Sequence, residues 1–109
     1  MAKKRPDKIT DLLSKVKECI EKENYFVTTH AFVRQSQRMI SLPESLHVLK
    51  TGYEEKKKTC FDIEHNTWKY AIIGKTIRDG LDVRVIIAFD KDGMLIITVM
   101  YVEKLWEEI

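Results

Sequence analysis

The sequence predicts an α+β fold, with N-terminal helices packed on an antiparallel β-meander of about four strands. Three observations carry this prediction. Up to Gly52 the apolar residues recur at helical intervals of three and four. Beyond Gly52 the chain turns to segments rich in Ile, Val, Tyr, Trp and Phe. Two dipeptides, Asp79-Gly80 and Asp92-Gly93, then separate the last three of these segments at hairpin positions. At 109 residues one domain is expected, divided into a basic arm (1–7), a helical part (8–52), a meander (53–102) and a tail (103–109).

Ile9, Leu12, Leu13, Val16 and Ile20 form one stripe of an amphipathic helix, which Pro6 and Asp7 suit at its start and Asn24 at its end. Tyr25-Phe26-Val27 is a short β-prone link. A second helix starts at Thr28 or Thr29, either of which can cap it through its hydroxyl, and runs to about Met39. Ser41-Leu42-Pro43-Glu44 matches a capping box, so a third helix runs from there to about Thr51. Gly52 reads as its left-handed stop. Strands are expected near 57–63, 67–77, 81–89 and 94–102. In 81–89 every odd residue is apolar while Asp82 and Arg84 share the other face, the pattern of a half-buried central strand. Segment 94–102 is apolar on both faces and reads as covered on both sides.

Composition narrows the function classes. Hydrophobic residues are 44% and charged residues 33%, which fits a folded chain rather than a disordered one. A balance of 19 Lys+Arg against 17 Asp+Glu gives +2, too mild to name a nucleic-acid binder by charge alone. No apolar run approaches the ~20 residues of a membrane span, and the basic start lacks the apolar stretch of a secretory signal. Cys19 and Cys60 stand far apart without CxxC spacing, which points to a reduced, cytoplasmic protein without structural zinc. Asp62, Glu64 and His65 lack a recognised ligand spacing and read as a turn, so neither metal nor cofactor is expected. There is no glycine-rich phosphate loop and no nucleophile elbow.

One constellation is of chemical interest. His30, Arg34 and Arg38 are spaced four apart, so they follow one another around a helix at offsets of about 40°, with Gln37 close to the same line. Ala31, Phe32 and Met39 are available to pack elsewhere. Arg offers fork-shaped donors to phosphate oxygens, and His moves protons near neutral pH. Near a helix start and beside two cations, His30 is expected in its neutral, proton-accepting form. The same spacing equally describes an ordinary solvated helix face.

Thr29-His30-Ala31 with Arg34 and Arg38, Ile40-Ser41, Tyr70, Asp82-Val83-Arg84-Val85-Ile86 and Ile96-Ile97-Thr98-Val99 together resemble the domain-of-unknown-function family 4258. That family is similar in turn to the motility quorum-sensing regulator toxins and, more distantly, to RelE/ParE and BrnT toxins. The resemblance implies a RelE-like toxin fold, with helices against a curved antiparallel sheet. It also implies metal-independent cleavage of messenger RNA and a partner antitoxin. By position it makes His30 the acid/base group, Arg34 and Arg38 the phosphate holders, and Arg84 and Thr98 the strand-side contributors. Relatives often read Thr-Val-Tyr where this chain has Thr98-Val99-Met100-Tyr101, which puts Tyr101 on the opposite face unless a bulge intervenes.

Lys56, Lys57 and Lys58 are either a solubilising edge or a track for an RNA backbone, as are Lys3, Lys4 and Arg5. Tyr70 is a packed aromatic or an RNA contact, Arg84 a salt-bridged strand residue or a site residue, and Thr98 a packing or a site residue. Two functions therefore stand side by side: an RNA endonuclease, or a binding module for RNA or an antitoxin on the same face.

Overall fold

The computed structural model describes residues 5–102; the expected arm residues Lys3 and Lys4 and the tail 103–109 lie outside the described residues. The elements are α1 (Leu12–Glu21), β1 (Tyr25–Val27), α2 (Thr29–Arg38), α3 (Leu42–Thr51), β2 (Tyr53–Glu54), β3 (Cys60–Asp62), β4 (Thr67–Lys75), β5 (Asp82–Asp90) and β6 (Gly93–Tyr101). The α+β class holds, but the sheet has six strands rather than about four, in the order β1-β6-β5-β4-β2 with β3 also on β4. The expected strand at 57–63 is shorter, Cys60–Asp62, after a turn at 56–58 and a two-residue strand β2 that was not expected, and the link at 25–27 is a strand parallel to β6. All other pairings are antiparallel.

Local chemistry sets the helix boundaries. The Thr28 hydroxyl accepts from Ala31 N at 3.1 Å, as a cap should, and α2 ends at Met39 in the left-handed region. Ser41 caps α3 by accepting from Glu44 N at 3.3 Å. The return half of the capping box is redirected: the Glu44 carboxylate accepts from Ile77 N at 2.7 Å and Arg78 N at 3.2 Å. It ties the start of α3 to the β4–β5 turn. Helix α1 begins at Leu12 rather than Ile9, because Ile9 N donates to the Tyr70 hydroxyl at 3.0 Å instead.

Gly52 does end α3, for a different reason from the one its type suggested. Its backbone is extended (φ −83, ψ −168) rather than left-handed. A Cβ there would meet Ile73 O at 2.2 Å and Val48 O at 2.6 Å. Glycine is needed so that the chain can pass from α3 straight against β4.

Val83, Val85 and Ile87 of β5 face Ile72 and Tyr70 of β4 and Met94, Ile96 and Val99 of β6 on the side that α1 and α3 cover. Burying these side chains together with Leu12, Val16, Val48 and Leu49 supplies the main driving force for folding. A bulge opposite Ile86/Ile87 gives β6 one extra residue, so Ile96 pairs with Ile87 and Thr98 with Ile86. The bulge precedes Thr98, leaving Tyr101 opposite Val83 and across the sheet from Thr98's face. The other face carries Arg84, Ile86, Thr98 and Met100. Ile86, Thr98 and Met100 are partly buried, so the second face of segment 94–102 is covered in part rather than fully. Among the described residues no helix is long and apolar enough to cross a membrane.

Candidate nucleic-acid interface

Helix α2 packs along β6 just past the point where its parallel neighbour β1 ends. Two bonds fix it there. At its start the Thr28 hydroxyl donates to Ile97 O at 3.2 Å, and at its last turn Arg38 Nη1 donates to Val99 O. Ala31 and Gln35 turn inward, and the Gln35 side chain donates to the Ser45 hydroxyl at 3.3 Å. The remaining stripe faces outward: His30 is exposed and Arg34 and Arg38 are half-exposed.

The structure brings His30, Arg34 and Gln37 of the predicted row together, while Arg38 turns to the backbone of β6. Arg34 Nε donates to His30 Nε2 at 3.5 Å, and Arg34 Nη1 donates to Gln37 Oε1 at 3.0 Å. A guanidinium has only donors, so the first contact uses the imidazole lone pair and holds the ring as an acceptor. At 3.5 Å it is a weak bond that a better ligand can displace. Among the described residues no carboxylate lies within ion-pair distance of Arg34 or Arg38, although the chain holds nearly as many acids as bases. Their charge is therefore not neutralised by any described carboxylate.

Arg84 is engaged elsewhere. Its Nε meets Glu55 Oε1 at 2.6 Å and its Nη2 meets Glu55 Oε2 at 3.0 Å, a two-pronged pair reaching from β5 across β4. Nη1 also approaches Met100 Sδ at 3.7 Å. The pair lies across Ile73 and Ala71, the β4 residues opposite Arg84 and Ile86, which explains their burial on the face away from the helices. The strand-side role implied for Arg84 is thus replaced by a structural one. Thr98 shares that face through its partner Ile86, next to the carbonyl that Arg38 holds.

Tyr70 is withdrawn from the surface: it is 2% exposed, its hydroxyl accepts from Ile9 N, and its ring packs edge-on against Phe89. Burial pushes its hydroxyl pKa up. It is a core residue and not an RNA contact. Lys56, Lys57 and Lys58 are exposed, but they form the turn between β2 and β3, at the opposite sheet edge from α2. Three strand spacings of about 4.8 Å separate the two edges, so these lysines do not extend the α2 row. Arg5 lies over the Phe61 ring at 4.5 Å, a cation–π contact. Asp62 Oδ2 meets His65 Nδ1 at 2.8 Å and Lys69 Nζ at 3.1 Å, and these two partners hold its pKa down at about 2. With Glu64 these form a turn, as the sequence suggested.

Two apolar residues, one in α2 and one at its C-cap, that the sequence left available for packing do not pack. Phe32 is 68% and Met39 85% exposed, with Val33 also outward. Phe32 and Val33 lie on the outward side of α2, and Met39 projects from its left-handed cap just beyond the helix.

Neither a curated protein nor a solved structure matches the chain. The span that contains α2, the bulge and the paired strands is matched instead by a family description, over residues 27–101. That is well over half of the sequence, and on it the chain belongs to the domain-of-unknown-function family DUF4258.

Proposed function

We propose that the chain is a metal-independent RNA endonuclease of the toxin type, acting through the outward face of α2. The observation that carries this reading is a histidine in contact with Arg34 and followed one turn further on by Arg38, two arginines that no described carboxylate neutralises. An anion arriving at this face finds two guanidiniums already desolvated on one side by the helix, and a phosphodiester fits their fork geometry.

In the reaction the RNA 2′-oxygen forms a bond to the adjacent phosphorus while the bond from phosphorus to the 5′-oxygen breaks. The products are a cyclic phosphate and a free 5′-hydroxyl. His30 Nε2 takes the 2′-hydroxyl proton, and the departing oxygen receives one from the protonated imidazole or from water. Arg34 leaves Nε2 for a phosphate oxygen, freeing the lone pair at the moment it is needed. The N–H groups of Arg38 not spent on Val99 O add charge stabilisation to the phosphorane.

The test is cleavage of labelled RNA in chelator by wild type and His30→Ala. A positioned acid/base group contributes about a hundred- to ten-thousand-fold, so the variant should lose cleavage by that factor while still binding RNA. Equal cleavage by the two folded proteins refutes the role. The second reading, a non-catalytic module that binds RNA or an antitoxin, is favoured by exposed Phe32, Val33 and Met39, which suit an apolar protein segment. It predicts that wild type itself leaves RNA intact and that Arg34→Ala and Arg38→Ala weaken binding.

A further inference from the structure

The sheet face away from α1 and α3 carries a cavity of about 250 Å³, less than the roughly 300–1,000 Å³ of a drug-sized site and enough for one ring system. Its floor is Ala88, which with Lys69 flanks the core pair Tyr70–Ile87 and so points away from the helices. Leu95 and Ile97 of β6 make one wall. The other wall is polar. Asp62 Oδ2 lies 2.8 Å from His65 Nδ1 and 3.1 Å from Lys69 Nζ. A carboxylate only accepts, so His65 Nδ1 donates to it and the neutral ring keeps Nε2 as an acceptor. The Lys69 ammonium has further N–H groups to give.

These two walls select the ligand. Methyl groups on one side suit the face of a flat ring, while Lys69 offers donors and His65 an acceptor to its edge. The charges of Asp62 and Lys69 offset one another, and a phosphate or carboxylate entering the cavity would meet Asp62. What fits is a neutral, planar heterocycle with donors and acceptors on its rim, which is the chemistry of a nucleobase. The cavity also adjoins the basic row. Thr28 lines it, donates to Ile97 O at 3.2 Å and caps α2 two residues before His30.

We propose that this cavity receives a base of the RNA strand whose phosphate lies on the α2 row, with the ring against Ala88, Leu95 and Ile97 and its edge on Lys69 and His65. This rests on the reading of α2 as an RNA face and adds a determinant of base preference to it.

Binding of 2′-O-methyl RNA hexamers tests it, because these strands lack the attacking hydroxyl and stay intact. Homopolymers of each of the four bases and an abasic ribose–phosphate strand are titrated into the full-length chain. NMR follows the methyl resonances of Ala88, Leu95 and Ile97 and the ring resonances of His30. At least one homopolymer should move both sets, whereas the abasic strand should move His30 alone. Ala88→Leu, which fills the cavity, and Lys69→Ala, which removes its donors, should each weaken the preferred hexamer by about tenfold and leave abasic binding unchanged. The Lys69 side chain is 34% exposed, so its replacement opens no core should the leucine fail to fit. Methyl resonances indifferent to all four homopolymers while His30 responds overturn the proposal and leave the α2 reading standing. A His30 ring silent to every strand overturns both. Equal losses of homopolymer and abasic binding in the two variants also overturn the proposal, since the substitutions would then act on phosphate and not on the base.

Discussion

Replacing Arg84 separates a structural residue from a catalytic one. The Arg84–Glu55 side chains are 13% and 20% exposed and bonded twice, at 2.6 and 3.0 Å. Exposed pairs contribute about 0.2–1 kcal/mol, whereas removing one partner of a fully buried pair costs about 3–5 kcal/mol. This pair lies between those limits, so Arg84→Met should destabilise the fold by about 2–3 kcal/mol, chiefly by leaving Glu55 half-buried without its partner. For a domain of this size that lowers the thermal midpoint by roughly 4–8 °C per kcal/mol. Pairing Arg84→Met with Glu55→Gln in a double-mutant cycle, read by urea unfolding, should give a coupling of about 1–2 kcal/mol. RNA cleavage assayed well below the midpoint should stay close to wild type. Additive single mutants, or a variant of unchanged stability that no longer cleaves RNA, would refute the structural assignment and return Arg84 to the site.

Two further outcomes are expected. Gly52→Ala should cost about 2–3 kcal/mol in urea unfolding, because its Cβ would overlap the backbone oxygens of Ile73 and Val48. Gly80→Ala, which has open space and pays only for φ +61, should cost about 1–2 kcal/mol, and the reverse ranking contradicts the close-approach argument. The Asp62 carboxyl is held at about 2 by His65 and Lys69, below its usual 3.8. Because the folded pKa is the lower one, its contribution is present above about 3.8 and disappears as pH falls through about 2. Stability measured between pH 5 and 2 should therefore fall less steeply in Asp62→Asn than in wild type; parallel curves would show that the carboxylate is not linked to folding.

What the sequence revealed and what it hid follow from the range of the interactions. Thr28 and Ser41 cap helices through bonds three residues away, so residue type placed α3 at Ser41 and α2 to within one residue, at Thr28 or Thr29. The row on α2 was legible for the same reason, since helical spacing alone puts His30, Arg34 and Gln37 within bonding distance. Gly52 was found at its proper place but for the wrong reason, because what demands it is Ile73 O, more than twenty residues on. Alternation along 81–89 put Arg84 on the face away from the helices but could not name Glu55, which meets it only after β2 and β4 pair. Tyr70 stayed open between a packed aromatic and an RNA contact, because an aromatic in a strand looks the same from sequence whether its hydroxyl meets solvent or Ile9 N. The parallel pairing of β1 with β6 joins segments about 70 residues apart, and no local signal carries it.

That parallel pairing decides what each residue of the α2 row can do. Strand β1 covers the outer edge of β6 only as far as Ile96, so the backbone beyond the bulge would stand open as an unpaired edge. Helix α2 closes it, with Thr28 on Ile97 O and Arg38 on Val99 O. Both ends of the helix are thereby anchored to one strand, and the stretch between them is held without slack. Arg38 serves as anchor as well as cation, so its loss removes a carbonyl's partner along with a charge. Arg34 carries no such duty: its recorded bonds are to side chains of its own helix, each replaceable by a phosphate oxygen. On the function proposed above, a helix anchored at both ends, with one guanidinium bonded only to side chains of its own helix, suits an anion that is gripped and then transformed. It follows that Arg34→Lys, which keeps the charge but loses the fork, should injure transition-state stabilisation more than ground-state binding, whereas Arg38→Lys should injure both.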